Sequence, residues 1–111
     1  MNDHCCKTHE SVKKILNDEV AVEHLSDLFK LMGEPIRTKI LLAMLHSEIC
    51  VKDLALLLNI AQPRISNQLK ILKLSKIVKV RKEKNNVFYN LADVRIKEII
   101  SIGLKQVDHQ G

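Results

Sequence analysis

Apolar residues in the middle of the chain follow a helical spacing twice in succession. They recur at i, i+3, i+4 and i+7 within residues 51–58, and at i, i+4 and i+7 within residues 65–72. The stretch between them, residues 59–62, interrupts both patterns. Each run predicts a helix with one buried face, and residues 51–75 together predict a helix-turn-helix.

The polar face of the second of these helices carries donors and amides but no carboxylate. Its polar residues are Gln62, Arg64, Ser66, Asn67, Gln68, Lys70 and Lys73. Arginine can hydrogen-bond guanine O6 and N7, and Asn or Gln can bridge adenine N6 and N7, whereas a carboxylate would repel phosphate. Pro63 falls in the first turn, where a missing N–H costs nothing. The pattern predicts a helix that reads the DNA major groove. The alternative is a solvated helical hairpin with an ordinary polar face.

Helical spacing also predicts three helices ahead of the helix-turn-helix. The first covers about residues 10–20, the second ends at Gly33 as a left-handed C-cap, and the third starts at Pro35. Their apolar positions are Val12, Ile15 and Leu16, then Leu25, Leu28, Phe29 and Met32, then Ile36, Ile40, Ala43 and Met44. On the third helix, Arg37 and Lys39 are left for solvent or phosphate.

After residue 75 the apolar period changes from helical to two, which predicts a β-hairpin. Its β-prone runs cover about residues 77–80 and 87–89, and Asn85-Asn86 between them tolerates the positive φ of a tight turn. The basic residues of the hairpin are Arg81, Lys82 and Lys84. Such a hairpin suits a wing that lies along the DNA backbone or in the minor groove. A charged hairpin that is merely soluble is the alternative.

The chain ends in a predicted helix from about Asp93 to Val107 with one continuous apolar stripe. The stripe comprises Ile96, Ile99, Ile100, Gly103, Leu104 and Val107. Because four helices and a hairpin already supply a core, this stripe predicts a dimer interface shared with the first helix. Packing inside the monomer is the competing account. The predicted fold class is mainly α with a small β-hairpin, a winged helix-turn-helix homodimer.

Composition narrows the class of partner. The 111 residues suffice for one domain with a core, and Lys plus Arg exceed Asp plus Glu by 18 to 13, a formal net charge of +5. This balance favours a polyanionic partner. Aromatic residues make up 3%, too few for the stacking platforms of single-strand binders. Double-stranded DNA is therefore the predicted partner.

Several other classes are excluded by the sequence. No apolar run approaches the roughly 20 residues of a membrane span, and the polar start lacks a signal-peptide apolar region, so we expect a cytoplasmic protein. There Cys5, Cys6 and Cys50 should stay reduced, which favours metal binding or redox sensing over a structural disulfide. We find no nucleophile with a base at plausible spacing and no Gly-rich phosphate loop, so an enzyme is not expected.

The first ten residues lack apolar periodicity but are rich in soft ligands. They include His4, Cys5, Cys6 and His9. We therefore predict a flexible metal-ligand tail at residues 1–10, followed by a DNA-binding and dimerisation domain at residues 11–111.

From about Leu25 to Leu91 the chain resembles the ArsR/SmtB family of winged-helix metal-sensing repressors. The matching segments are Gly33-Glu34-Pro35-Ile36-Arg37, Glu48-Ile49-Cys50-Val51-Lys52-Asp53-Leu54, Gln62-Pro63-Arg64-Ile65-Ser66-Asn67-Gln68-Leu69 and Asn86-Val87-Phe88-Tyr89. The resemblance implies a homodimer that binds an imperfect palindromic operator without metal, represses transcription and is released by an inducer. One departure is Ala61, where the family usually has a serine cap.

The resemblance also implies metal sites, and two of them do not match these residues. The C-terminal helix site needs an Asp-x-His pair, but Asp93 is followed by Arg95, and Gln106 and His109 occupy the later positions. Arsenic and cadmium sensors of the family carry Cys-Val-Cys before the recognition helix. This chain has Cys50-Val51-Lys52 in its place and lacks one thiolate.

A third site matches on both halves. Zinc sensors resembling this chain use Cys-x-x-x-His in the tail and Cys-x-x-Asp on the helix, here Cys5 with His9 and Cys50 with Asp53. Two thiolates, an imidazole and a carboxylate suit tetrahedral zinc. If Cys6 joins them, preference shifts toward cadmium, lead or copper(I). His4 is a spare ligand.

Two other roles for these cysteines remain open. On the same scaffold, a disulfide between Cys50 and Cys5 or Cys6 could release DNA and make the protein a thiol redox sensor. Alternatively, Cys50 is a small buried apolar residue and the tail is disordered. A disulfide needs neither His9 nor Asp53, whereas a zinc site should lose affinity without them.

Overall fold

The structure, a computed structural model, describes residues 9–108. The chain separates into two compact units, a first that ends at Met32 and a second that begins at Gly33. Among the described residues, no helix is both long and apolar enough to cross a membrane.

The first unit contains two helices, α1 at Glu10–Leu16 and α2 at Glu19–Met32. The predicted first helix was too long, because α1 ends where Asn17 forms its C-cap. Asp18 then begins the next helix, since its carboxylate accepts a hydrogen bond of 3.0 Å from the backbone N–H of Ala21. An aspartate in this position satisfies one of the N–H groups left open at a helix start. Neither α1 nor α2 contains a buried residue.

The second unit holds the winged helix-turn-helix that the sequence predicts. Its elements are α3 at Pro35–Ala43, α4 at Val51–Leu58, α5 at Gln62–Leu74, β1 at Val78–Glu83, β2 at Asn86–Leu91 and α6 at Val94–Asp108. The two strands form an antiparallel hairpin in which Val78 pairs with Leu91 and Glu83 pairs with Asn86. We call this hairpin the wing.

The core of the second unit lies where α3, α4 and α5 meet the base of the wing. Its buried apolar residues are Ile40, Leu41, Met44, Leu45, Leu54, Ile65, Leu69, Leu72, Ile77, Val78 and Leu91. Every helix of the helix-turn-helix therefore contributes the apolar face that the sequence predicts. Each fully buried aliphatic side chain stabilises such a core by roughly 1.5 to 3 kcal/mol.

The turns differ in detail from the sequence predictions. Gly33 is not a left-handed C-cap, because no glycine among the described residues has a positive φ. The left-handed C-cap is instead Asn59 after α4, with φ 55° and ψ 48°, a conformation that asparagine tolerates better than most residues. Gln62 already belongs to α5, so the turn of the helix-turn-helix comprises residues 59–61.

The hairpin turn lies one residue earlier than predicted. Because Glu83 pairs with Asn86, the two-residue loop is Lys84-Asn85, and Lys84 carries the positive φ of 55°. Two-residue loops need positive φ because only then does their twist match that of the flanking strands. The turn therefore places the ammonium-bearing Lys84 at the tip of the wing.

The N-cap of α5 offers a direct test of local stability. Ala61 is the N-cap with an extended backbone, and Pro63 in the first turn has no N–H to satisfy. We expect Ala61→Ser to stabilise the fold by about 1 kcal/mol, because the new hydroxyl can accept from the Arg64 backbone N–H. Thermal unfolding at fixed protein concentration measures the gain. Ala61→Val, which adds bulk without an acceptor, should give none.

Candidate DNA-binding surface and metal ligands

Helix α5 buries one face and leaves its predicted DNA-reading face open. Ile65, Leu69 and Leu72 are at most 1% exposed, which fixes the rotation of the helix. The predicted reading residues that are exposed are Gln62, Arg64, Asn67 and Lys70, while Ser66 and Gln68 are half-buried. The exposed set combines cationic and amide donors, which suits phosphate and base edges of duplex DNA.

Gln68 is held by a residue from another helix. Its side-chain oxygen accepts a hydrogen bond of 2.8 Å from Nε of Arg37 on α3. A glutamine bridges adenine by donating from its NH2 and accepting at its oxygen. With the oxygen engaged, Gln68 can donate to an acceptor but is poorly placed to bridge adenine. Arg37, predicted to be left for solvent or phosphate, instead orients a side chain of α5.

The start of α3 places the carboxylate of Glu34 near Arg37 and Arg64. Glu34 caps α3 by accepting a 3.1 Å hydrogen bond from the backbone N–H of Arg37. Partial burial raises the pKa of Glu34, but this is outweighed by the N–H groups of Arg37 and Ile36 and by the charges of Arg37 and Arg64, which leave the pKa below its usual value. Glu34 therefore stays ionised near neutral pH and limits the positive field beside Arg64.

The wing carries the other predicted DNA-binding residues. Lys82 and Lys84 are exposed near its tip. Arg81 is different because its guanidinium is engaged by the protein: Nη2 lies 2.5 Å from Glu48 Oε1, and Nη1 lies 2.6 Å from Glu83 Oε2. The same guanidinium carbon lies 4.7 Å from the ring centre of Phe88. Hydrogen bonding to Arg81 lowers the pKa of Glu48.

Two of the predicted metal ligands lie at the start of α4. Cys50 is the N-cap and a half-buried free thiol, and Asp53 is exposed in the first turn. Residues at i and i+3 of a helix start lie on one side. Within the described residues, the Cys50 side chain makes no capping hydrogen bond to the N–H groups of α4. The thiol and the carboxylate thus form one half of the predicted ligand set.

The other half falls largely outside the described residues. Cys5 and Cys6, with the spare ligand His4, precede residue 9, and His9 is an exposed N-cap of α1. Within residues 9–108, no group of three or more His, Cys, Asp or Glu side chains is placed to hold a metal ion. The chemistry of Cys50 and Asp53 fits zinc or a softer metal only if further ligands come from elsewhere.

Asp93 serves as the cap at the start of α6. Its Oδ1 accepts hydrogen bonds from the backbone N–H groups of Arg95 at 2.8 Å and Ile96 at 3.3 Å, and its Oδ2 lies 2.9 Å from Nη2 of Arg95. Hydrogen bonding to Arg95 lowers the pKa of Asp93. The guanidinium thus occupies the position next to the carboxylate where the C-terminal helix site would need a second ligand. His109 lies outside the described residues.

The segment before Cys50 is tied to the wing at two neighbouring positions. Ile49 and Tyr89 exchange two backbone hydrogen bonds of 2.9 and 2.8 Å, and Glu48 pairs with Arg81. A change at Cys50 therefore acts on a segment bonded to β2 and continuous with α4. No local sequence pattern predicts the contacts of Glu48 and Arg37, because their partners lie 33 and 31 residues away.

The apolar stripe of α6 is incompletely covered in the single chain. Ile96 and Ile100 are half-buried, whereas Ile99, Leu104 and Val107 are 38%, 37% and 58% exposed. No residue of α6 is buried. Exposed apolar surface of this extent is typical of a protein interface.

Comparison with known proteins identifies relatives among helix-turn-helix transcriptional regulators. The model of the family described as "Bacterial regulatory protein, arsR family" matches residues 34–80. The chain is 42% identical over 81 residues to an HTH-type transcriptional regulator of Methanocaldococcus jannaschii, and the aligned region covers 72% of this chain and 91% of the relative. It is 32% identical over 77 residues to a cadmium resistance transcriptional regulatory protein CadC homolog of Staphylococcus aureus, covering 68% of this chain and 64% of the relative.

The fold agrees with solved structures. Reduced HlyU from Vibrio cholerae superposes with a TM-score of 0.71 at 31% identity, covering 76% of this chain and 88% of HlyU. Family match, identity and fold agree with the helix-turn-helix and wing described above. The chain therefore belongs to the ArsR family, whose members are DNA-binding transcriptional regulators and repressors rather than enzymes.

Proposed function

We propose that this protein is a metal-responsive transcriptional repressor that works as a homodimer in the cytoplasm. Its metal-free dimer binds a palindromic operator, and zinc or a softer metal such as cadmium or lead releases it. The DNA-facing donors of α5, the exposed lysines of the wing and the uncovered stripe of α6 support the DNA-bound dimer. Similarity to a regulator of cadmium resistance supports a thiophilic metal as inducer.

We assign the metal to five residues, Cys5, Cys6, His9, Cys50 and Asp53. Residues 1–10 act as the ligand-bearing tail, and residues 11–111 form the DNA-binding and dimerisation domain. Thiolates and an imidazole bind zinc, and added thiolates favour cadmium or lead. The metal supplies the energy that orders the tail, because ordering a free chain segment costs conformational entropy.

One observation carries the link between metal and DNA. Cys50 caps the helix that leads into α5, and the two residues before it are bonded to the wing. Ligation of Cys50 and Asp53 therefore acts on the segment that joins both DNA-contacting elements. If the metal-bound form misplaces them, metal and operator oppose each other through a coupling of about 1 to 3 kcal/mol, the usual range for linked sites.

Base reading and phosphate binding should separate in DNA-binding measurements. We expect Arg64→Ala to weaken operator binding about 5- to 150-fold, the range for losing a bidentate base contact, with little effect on random duplex. Lys84→Ala should weaken binding to both and reduce the salt dependence, because a phosphate contact carries no sequence information. Fluorescence anisotropy with both duplexes at several salt concentrations measures this. Equal losses on both duplexes for Arg64→Ala would remove Arg64 from the reading role.

A thiol redox switch is the second candidate function. The similarity to HlyU, whose structure was solved in a reduced form, favours it. A disulfide would join Cys50 to Cys5 or Cys6, with loss of two electrons and two protons to a cellular oxidant. Two variants separate the two functions. His9→Ala and Asp53→Asn should weaken metal binding but leave disulfide formation intact. Competition between zinc and cadmium for protein purified without oxygen measures the metal binding.

A further inference from the structure

We propose that Arg81 is a positioning residue, which clamps the wing to Glu48 so that the wing lysines meet the DNA backbone, and is not itself a phosphate contact. This replaces the direct DNA role that the sequence suggested for Arg81. It rests on the DNA-binding part of the proposed function and not on the metal.

All three guanidinium nitrogens of Arg81 donate to carboxylates. Nε lies 3.0 and 3.2 Å from the two carboxylate oxygens of Glu48, and Nη2 lies 2.5 Å from Glu48 Oε1. Nη1 donates to Glu83 at 2.6 Å. The forked contact to Glu48 is the geometry in which arginine and carboxylate fix each other's orientation. Two of the five guanidinium N–H groups remain, one on each Nη, so a phosphate could reach Arg81 only at these and not through the fork that already binds Glu48.

The surrounding charge also opposes a phosphate at this position. Two carboxylates, Glu48 and Glu83, lie against one guanidinium, so these three groups together carry a net negative charge. Phe88, which pairs with Arg81 across the sheet, packs its ring against the guanidinium. An anion approaching Arg81 would meet two like charges and an aromatic ring.

The position of Arg81 in the strand shows what the clamp controls. Successive side chains of a strand point to opposite faces, so Lys82 faces away from Glu48 when Arg81 faces toward it. Lys84 follows at the tip. A second tie lies beside the clamp, because Ile49 next to Glu48 is hydrogen-bonded to Tyr89 of β2. The two ties together limit rotation of the wing about its base.

The change in operator affinity caused by Glu48→Gln has opposite signs for a clamp and for a phosphate contact. If Arg81 is a clamp, Glu48→Gln should weaken operator binding by about two- to fivefold, the range expected for losing an exposed ion pair, although it removes a negative charge. Arg81→Gln should weaken it similarly, and the double variant should be no weaker than Arg81→Gln. If Arg81 bound phosphate, Glu48→Gln would free it and strengthen binding.

Arg81→Lys gives a second test, because lysine keeps the positive charge but cannot make the two-nitrogen contact with Glu48. A clamp predicts that Arg81→Lys binds as weakly as Arg81→Gln with an unchanged salt slope, whereas a phosphate contact predicts near wild-type affinity. Lys79→Gln, which removes a neighbouring cation from the same strand, controls for loss of charge. Anisotropy with operator DNA and thermal unfolding are measured on each full-length variant.

Weaker binding by Glu48→Gln, with an unfolding temperature lowered by no more than the few degrees expected for one exposed ion pair and no additional loss in the double variant, supports the clamp. Equal or tighter binding by Glu48→Gln, or wild-type affinity for Arg81→Lys, overturns it. Because every measurement uses metal-free protein, loss of the metal response would leave this result standing, and failure of the clamp would leave the metal response intact.

Discussion

A Leu104→Glu variant is expected to be monomeric and to lose operator affinity by about 100-fold or more. Leu104 lies on the stripe of α6 and is 37% exposed in the single chain, so a charge there should harm the dimer more than the fold. Two recognition helices must meet half-sites about one helical turn apart, and linking two binding modules commonly raises affinity 10²- to 10⁴-fold. Sedimentation gives the oligomeric state, and anisotropy gives the affinity.

A matched control comes from the opposite face of the same helix. Val94 is 63% exposed, and at 100° per residue it lies about 150° from the centre of the stripe. Val94→Glu makes the same change of chemistry and should leave the dimer and its affinity unchanged. Ile100 is a less suitable position than Leu104 for the disrupting charge, because Ile100 is half-buried in the single chain. A folded Leu104→Glu dimer with wild-type affinity would place the interface elsewhere.

Cys50→Ser is expected to keep operator binding and to lose the response to zinc and cadmium. The loss should remove the whole coupling between metal and DNA, typically 5- to 150-fold in affinity. Unfolding should not confuse the result, because Cys50 is an N-cap and serine is among the preferred residues at that position. Operator affinity with and without metal is measured on oxygen-free protein.

Asp53→Asn separates the metal site from a redox switch. It keeps the size of the side chain but removes the charge, so it should weaken metal binding and leave any disulfide chemistry of Cys50 unchanged. Lys52→Gln, a neighbouring exposed change without a ligand role, should respond like the wild type. If Cys50→Ser still releases DNA with metal, Cys50 is not a ligand.

Most of the fold could be predicted because it depends on local spacing. The period of apolar residues identified both helices of the helix-turn-helix, and Ile65, Leu69 and Leu72 are indeed buried. The change of period after residue 75 identified the wing. Such patterns report which side of an element is buried, and burial is the dominant force that orients it.

Turns and contacts between distant residues could not be predicted in the same way. The positive φ values fall at Asn59, Lys76 and Lys84 and not at Gly33, because strand register and helix packing decide where the backbone must bend. The Glu48–Arg81 pair depends on how the wing folds back, which no local spacing records. The elements that carry the candidate DNA surface were therefore predictable, but the contacts of Arg81 with Glu48 and Glu83 were not.

Release of the DNA-bound dimer by metal can be followed directly in one titration. Reduced, metal-free protein is bound to a duplex selected from random sequences by the protein itself, and anisotropy is followed as zinc or cadmium is added without oxygen. We predict saturable release that chelator reverses and that the Cys50→Ser dimer does not show. Operator affinity unchanged by either metal, but lost on mild thiol oxidation and restored by reductant, would contradict the account and establish the redox switch.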